Sequence, residues 1–294
     1  MSEELIEPKK VSYSQYSTWL TCPKQWKLKY VDKLDQFSDS MDTVFGTAMH
    51  EVIQEWLHQH FENEKKAKLI DLHIPFKDRL KELFKERSIL NEQTGERTFV
   101  ADKETLIEYY LDGCAILDHV RSHAKAFFPT QGHKLVGCEI PLEVQLNDHI
   151  NYIGYIDLVI HDTTKDLYYI YDLKTSRSGW VYQKKDPKKI NQILLYKKFY
   201  AEQFGVDEKN IIPRFLILKR KIAENADFTI LRLSKFEPSH GTPSINKAWS
   251  SFQNFLEECF TSTGEYNDQV VATPSKSNCK YCPFRNTIHC TEGV

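Results

Sequence analysis

The sequence has no apolar run near the roughly 18–20 residues that a membrane helix needs, so no spanning helix and no membrane partner are expected. Glycine and proline are sparse, 11 of each among 294 residues. No internal repeat and no low-complexity tract occurs, and that sparseness excludes a long flexible linker dividing the chain. A charge excess of either sign is also missing: the net charge is −2 and the pI about 6.6. No global basic footprint marks the chain as a nucleic-acid binder, so any grip on phosphates has to be local. No G-x-x-x-x-G-K-[ST] phosphate loop occurs, which excludes an NTP-driven motor of that type. The opening residues Met1–Lys10 are polar and begin acidic, unlike a signal or transit peptide, and a cytoplasmic location is expected. In that setting the seven cysteines read as thiols or metal ligands and not as disulfides.

Hydrophobic residues make up 41% of the chain and charged residues 27%, enough for a sizeable core. Apolar residues at helical spacing predict helices over 12–30, 44–63, 76–90 and 102–127, the last two joined by a polar loop around Thr94-Gly95-Glu96. The period then changes to that of strands. Residues 135–146, 151–162 and 167–175 are rich in β-branched and aromatic side chains, with turns at Asn147-Asp148 and Thr163–Asp166. A helix over 188–204, strands over 211–220 and 227–234, and a helix over 243–260 follow. The expected fold is α/β: a mixed sheet core flanked by helices, with a helical insertion and a cysteine-bearing tail. Length allows one unit over 1–294, divided into entry helices (1–63), insertion (64–133), core (134–234) and C-terminal helix with tail (235–294).

Two acids and a lysine stand out on adjoining strands. In Asp172-Leu173-Lys174 the strand period of two puts acid and amine on one face. The short turn at 163–166 makes the two strands antiparallel neighbours, so Asp157 can lie beside Asp172. Converging carboxylates repel and need a cation, and oxygen ligands of this kind suit Mg²⁺ or Mn²⁺. A nearby lysine can orient water and offset charge building on a phosphate. An isolated Asp-x-Lys is more often a pair of exposed strand charges. Here the apolar flanks, Ile156 and Leu158 on one strand and Tyr169-Ile170-Tyr171 on the other, argue for burial, and a buried charge needs a partner.

Gly154–Ile160 (GYIDLVI) followed by Tyr169–Ser176 (YIYDLKTS) resembles the PD-(D/E)xK nuclease superfamily, in particular its RecB-like exonuclease branch, similar to AddB-type and CRISPR-associated exonucleases. Gly46-Thr47-Ala48-Met49-His50 matches that family's Gly-x-x-x-His helix, and Gln192–Tyr196 its Gln-x-x-x-Tyr helix. Tyr13–Tyr16 through Cys22-Pro23 is similar to the entry helix of iron–sulfur members. The resemblance implies a restriction-endonuclease-like fold and a metal held by His50, Asp157, Asp172 and the main-chain carbonyl of Leu173. It implies that Lys174 positions the water, and that Gln192 and Tyr196, one helical turn apart, touch the DNA backbone or support Lys174. Glu139 lies where many members carry an acid; it is a further ligand or a solvated strand residue. His50 has the alternative of an ordinary helix histidine, as His58 and His60 are expected to be.

The tail carries Cys279-Lys280-Tyr281-Cys282-Pro283 and then His289-Cys290. That is one cysteine short of an all-thiolate site. Cys22 is also followed by proline, a pairing that recurs beside iron–sulfur ligands. The resemblance implies a [4Fe–4S] cluster on Cys22, Cys279, Cys282 and Cys290. Zinc on Cys279, Cys282, His289 and Cys290, or free thiols, are the alternatives. Cys114, Cys138 and Cys259 read as small buried residues.

Lysines cluster at Lys184, Lys185, Lys188 and Lys189, leading into the Gln192/Tyr196 helix, and a second run is Lys219-Arg220-Lys221. Either is a phosphate-binding strip or a solvated face. Trp180 and Tyr182 can stack on unpaired bases or anchor a loop. The expected function is a metal-dependent DNA exonuclease acting on single-stranded or end-bearing DNA in repair, replication or recombination. A subunit trimming DNA in a larger assembly, such as CRISPR adaptation, and a catalytically silent DNA-binding scaffold are the other readings.

Overall fold

The computed structural model describes residues 7–34, 39–90, 95, 97–222 and 231–294. The chain opens with strand β1 (Lys9–Ser12) and helices α1 (Tyr13–Thr21) and α2 (Pro23–Trp26), the latter running into a π-helical turn over Lys27–Val31. Helices α3 (Met41–Glu62), α4 (Glu64–Ala67) and α5 (His73–Glu86) follow, then a small ribbon of β2 (Ile89–Leu90) and β3 (Arg97–Thr98). Helices α6 (Lys103–Ser122) and α7 (Ala124–Phe127) lead to the long strands β4 (His133–Asn147), β5 (Ile150–Asp162) and β6 (Leu167–Ser176). The chain closes with α8 (Pro187–Phe204), β7 (Ile211–Lys219), β8 (Leu233–Phe236), α9 (Thr242–Cys259) and α10 (Lys276–Cys279).

Local chemistry explains the main boundaries. Ser40 caps α3 by accepting from the Thr43 amide, and Asp186 caps α8 from the Lys188 amide with Pro187 in the first turn. Gly205 ends α8 at φ 64, the left-handed conformation that glycine adopts without steric cost. The helix expected over 12–30 is interrupted: Cys22 is extended, and Pro23 starts a new turn because it lacks the N–H a continuing helix would use. Residues 9–12 form a strand that four residues of sequence do not announce. The helix expected over 76–90 ends at Glu86, and that over 102–127 breaks at His123. The strand expected over 227–234 is observed as β8 from Leu233; residues 227–230 lie outside the described residues, as do Thr94 and Glu96.

The sheet runs β1-β5-β6-β7-β8, with β4 on the other edge of β5. Pairing is antiparallel for β4/β5, β5/β6 and β7/β8, and parallel for β1/β5 and β6/β7. Each face is covered. Leu158, Ile160, Tyr171 and Leu173 pack with α3, α5 and α6 into one core. The alternate residues Val159, Ile170, Phe215 and Ile217 pack with α1, α8 and α9 into a second, as the strand period requires.

The sheet is irregular along one edge of β5. That strand pairs with β6 only from Leu158↔Tyr171 to Asp162↔Leu167, and with β1 only from Lys9↔Ile150 to Ser12↔Ile153. Between these stretches, residues 154–157 have no ladder partner on that edge, and β5 and β6 fork apart.

The insertion helix α6 is tied to the end of β7 by buried charge. Arg220 Nη1 lies 2.9 Å from Asp112 Oδ2, Lys221 Nζ lies 3.1 Å from Asp112 Oδ1, and the guanidinium sits 3.6 Å over the Tyr109 ring. Removing one partner of a buried pair strands the other charge, at a cost of about 3 kcal/mol or more. Asp112→Ala should therefore lower stability by about that amount in urea denaturation, and a loss under about 0.5 kcal/mol, the range of an ordinary surface change, would show the clamp to be dispensable.

Candidate active site

The fork between β5 and β6 is where the expected acids meet. Asp157 ends the unpaired stretch of β5, and its Oδ2 accepts the Leu173 amide at 2.6 Å. The carboxylate thus replaces the ladder partner that the fork removes. Leu173 is flanked by Asp172 and Lys174, whose side chains share the opposite face. Lys174 Nζ lies 2.9 Å from Asp172 Oδ1, so the amine and acid expected to share a face do so.

His50 arrives on α3, with Gly46 one turn earlier. A Cβ on Gly46 would stand 3.4 Å from Thr175 Oγ1, so the helix runs close against β6. His50 Nδ1 lies 3.7 Å from Asp157 Oδ2, and the Leu173 main chain hydrogen-bonds the imidazole. Four residues after His50, the amide Nε2 of Gln54 donates to Glu139 Oε1 at 2.7 Å and to the Asp157 carbonyl at 2.9 Å. Glu139 is held at φ 48, a left-handed conformation that costs a non-glycine residue about 1–3 kcal/mol. Gln54 carried no signal of its own in the sequence; the only clue was its position one turn beyond His50 on the same helix face.

The electrostatics are those of a site short of positive charge. Burial raises the Asp157 carboxyl to about 6, against the pull of Lys174 and the Leu173 amide. Burial likewise raises Asp172 to about 6, opposed by Lys174 and reinforced by Asp157. Burial and then Lys174 lower His50 to about 4, so its ring is neutral at pH 7. Asp172 is 1% exposed, and Lys174 Nζ lies 2.9 Å from its Oδ2 as well as from its Oδ1. A buried and a half-buried carboxylate are oxygen donors of the kind a hard divalent cation prefers, and the neutral imidazole beside them can add a nitrogen. Among the described residues, no three His, Cys, Asp or Glu side chains close into a metal-holding group. The donor chemistry nevertheless fits such a cation.

The Gln192/Tyr196 pair sits beneath the acids. Gln192 Nε2 donates to the Tyr196 hydroxyl at 3.1 Å, and burial, then Asp172, raises the Tyr196 hydroxyl. Tyr196 is buried and Gln192 half-buried. Lys184 and Lys185 are exposed in the turn before α8, and Lys189 lies near enough to Lys174 and Asp172 for their charges to act on it. The second basic run is different: Arg220 is buried and, with Lys221, is committed to Asp112. Trp180 is buried against Phe215, with ring centroids 4.8 Å apart, and so anchors the loop. Tyr182, 88% exposed, remains free to stack.

At the far end, Cys22, Cys279, Cys282 and Cys290 line one narrow cavity, although among the described residues no three of them close into a metal-holding group. Burial raises the Cys282 thiol, and the charges of Cys22, Cys290 and Cys279 act on it in turn. The tail is fastened to the N-terminal helices by Lys24–Glu292 at 3.0 Å and by the Thr273 hydroxyl on the Thr21 carbonyl at 3.4 Å. Cys114 and Cys259 are buried. Cys138 is half-buried, with its thiol raised by burial to about 12.

The profile of the PD-(D/E)XK nuclease superfamily matches residues 10–287. The chain belongs to that superfamily, and the mixed sheet with helices on both faces is its fold. Among solved structures, a Eubacterium rectale protein described provisionally as an exonuclease is 12% identical with a TM-score of 0.49, covering 87% of this chain and 85% of its own. A second, SSO0001, is 12% identical with a TM-score of 0.36, covering 95% of this chain and 84% of its own. No curated protein matches. Among the described residues, no helix is long and apolar enough to cross a membrane.

Proposed function

We propose that the protein is a metal-dependent deoxyribonuclease that degrades DNA from ends, with Asp157, Asp172 and Lys174 as its catalytic centre. The observation that carries this reading is the fork itself. It brings a buried and a half-buried carboxylate, a neutral imidazole and a lysine to one end of β6, with Lys174 bonded to Asp172 at 2.9 Å and His50 Nδ1 3.7 Å from Asp157. His50, Asp157, Asp172 and the Leu173 carbonyl would hold Mg²⁺ or Mn²⁺. When bound, the cation supplies Lewis-acid chemistry, polarising a phosphoryl oxygen and favouring loss of a proton from water. Lys174 has two ammonium protons beyond the one given to Asp172. They can hold the attacking water or a non-bridging phosphate oxygen. In hydrolysis the water oxygen joins phosphorus and gives a proton to bulk solvent, one sugar–phosphate P–O bond breaks, and the released alkoxide takes a proton back from solvent. Tyr196 and Gln192 brace the floor.

End dependence rests on the resemblance to RecB-like exonucleases. It is tested by comparing linear and circular single-stranded DNA of one sequence. Degradation of the linear form alone is expected; equal loss of the circle would make the enzyme an endonuclease. Lys184, Lys185, Lys188 and Lys189 are proposed to grip the strand. Each phosphate contact contributes about 0.7–0.9 to the slope of log K against log salt, so changing all four to Ala should flatten the slope by about 3. A parent-like slope would make the run a solvated face.

The raised carboxyls give a pH dependence with a definite sign. Below about 6 both acids hold protons that a cation must displace, whereas His50, lowered to about 4, stays available. Mn²⁺ affinity should rise from pH 5 to 7 and level off above, with proton release near pH 6 seen by calorimetry in two buffers. A flat profile would show that the carboxyls do not bind the ion.

Cys22, Cys279, Cys282 and Cys290 are proposed to hold a [4Fe–4S] cluster with a structural role, supported by their sharing one cavity. Unwinding of duplex substrates falls to a helicase or another partner.

A further inference from the structure

Gln54 is buried in the helix that presents His50, and no step of the hydrolysis uses it. Its amide makes two hydrogen bonds, both into the catalytic fork: 2.7 Å to the Glu139 carboxylate and 2.9 Å to the Asp157 carbonyl. Its neighbour across the strand, Glu139, is one of few non-glycine residues at positive φ. Glu139 faces Asp157 across the β4/β5 ladder, between Cys138↔Leu158 and Ile140↔Ile156. Its charge acts on His50, Asp157 and Tyr196, so the carboxylate belongs to the site despite sitting on an exposed residue. A strained backbone persists only where surrounding contacts over-determine it. The amide of Gln54 is the one side-chain contact among the described residues that fixes this carboxylate.

We propose that Gln54 is a positioning residue: it pins Glu139 in its left-handed conformation and ties it to Asp157, so that Glu139 serves as the third carboxylate of the cation site. The choice of amide has a physical reason. A site with three acids and one lysine gains nothing from another charge, and a neutral donor can hold a carboxylate without neutralising it as a ligand. Because Gln54 bonds Glu139 and the Asp157 main chain together, its loss should act on both ligands at once. This inference rests on the reading of the fork as a cation site.

The test compares the wild-type protein, Gln54→Met, Glu139→Gly and the double variant. Methionine keeps the length of glutamine without its donor, and glycine tolerates φ 48. The first readout is Mn²⁺ affinity by calorimetry; the second is the division of any rate loss between kcat and KM on single-stranded DNA. Gln54→Met is expected to weaken Mn²⁺ binding about tenfold or more and to lower kcat with KM little changed. In the Glu139→Gly background the same change should cost under threefold, because the carboxylate it positions is gone. Full additivity, or wild-type Mn²⁺ affinity in Gln54→Met, would overturn the assignment. Should Gln54→Met not fold, Gln54→Ala, a substitution favoured in helices, carries the same comparison. The two levels separate cleanly. Failure of the wild-type protein to bind Mn²⁺ removes the cation site itself; normal binding that is indifferent to Gln54 removes only this inference.

Discussion

Asp172→Ala should reduce Mg²⁺- or Mn²⁺-supported DNA cleavage by about 10³-fold or more, with the circular dichroism spectrum unchanged. A cation site contributes several kcal/mol of transition-state stabilisation, and each 1.4 kcal/mol is about tenfold in rate. Asp172 is the deepest of the site's acids, and both of its oxygens lie 2.9 Å from Lys174 Nζ. Its loss therefore disturbs the ligand set and the lysine together. Lys174→Ala should cost about 10²–10³-fold, the scale of removing one preorganised donor, mainly in kcat, because the interaction is made in the transition state. Neither side chain fills apolar core, so folding should survive. Undiminished cleavage by purified Asp172→Ala protein would remove the fork from the mechanism.

Cys22→Ala should empty the tail site. Cys22 and Cys279 are separated by more than 250 residues in the sequence. A metal group joining them closes a long loop, and metal binding of this kind is folding free energy. The variant should lose its iron, shed the brown colour of protein purified without oxygen, and lose several kcal/mol of stability, as when a long cross-link is cut. Cleavage at low temperature should persist, since His50, Asp157, Asp172 and Lys174 are built on the sheet and α3. A zinc site on Cys279, Cys282, His289 and Cys290 makes the opposite forecast: Cys22→Ala keeps its metal and His289→Ala loses it. Full iron occupancy in Cys22→Ala would rule out the four-cysteine assignment.

Much of the site was legible because period-two strands and one short turn suffice to place it. Asp-x-Lys fixes a shared face, and the turn at 163–166 sets Leu158 against Tyr171 and brings Asp157 level with Asp172. What the pattern could not carry was the fork. It arises because β1, only four residues long, takes the N-terminal end of β5 and leaves residues 154–157 without a partner on the edge away from β4. Gln54 was missed for a related reason: a lone glutamine in a helix has no signature, and its role appears only when β4 and β5 are laid against α3. Trp180 and Arg220 went the other way. An aromatic beside glycine and a basic triplet at a strand end are ambiguous in sequence, and burial against Phe215 and Asp112 decides both.

The most direct measurement is cleavage of end-labelled single-stranded DNA by the purified protein with Mn²⁺, with Mg²⁺ and with EDTA, beside Lys174→Ala. Progressive shortening with either cation, none with EDTA and little with the variant is the predicted result. Intact DNA in every lane, or cleavage that neither EDTA nor Lys174→Ala reduces, would contradict a cation-dependent nuclease centred on the fork.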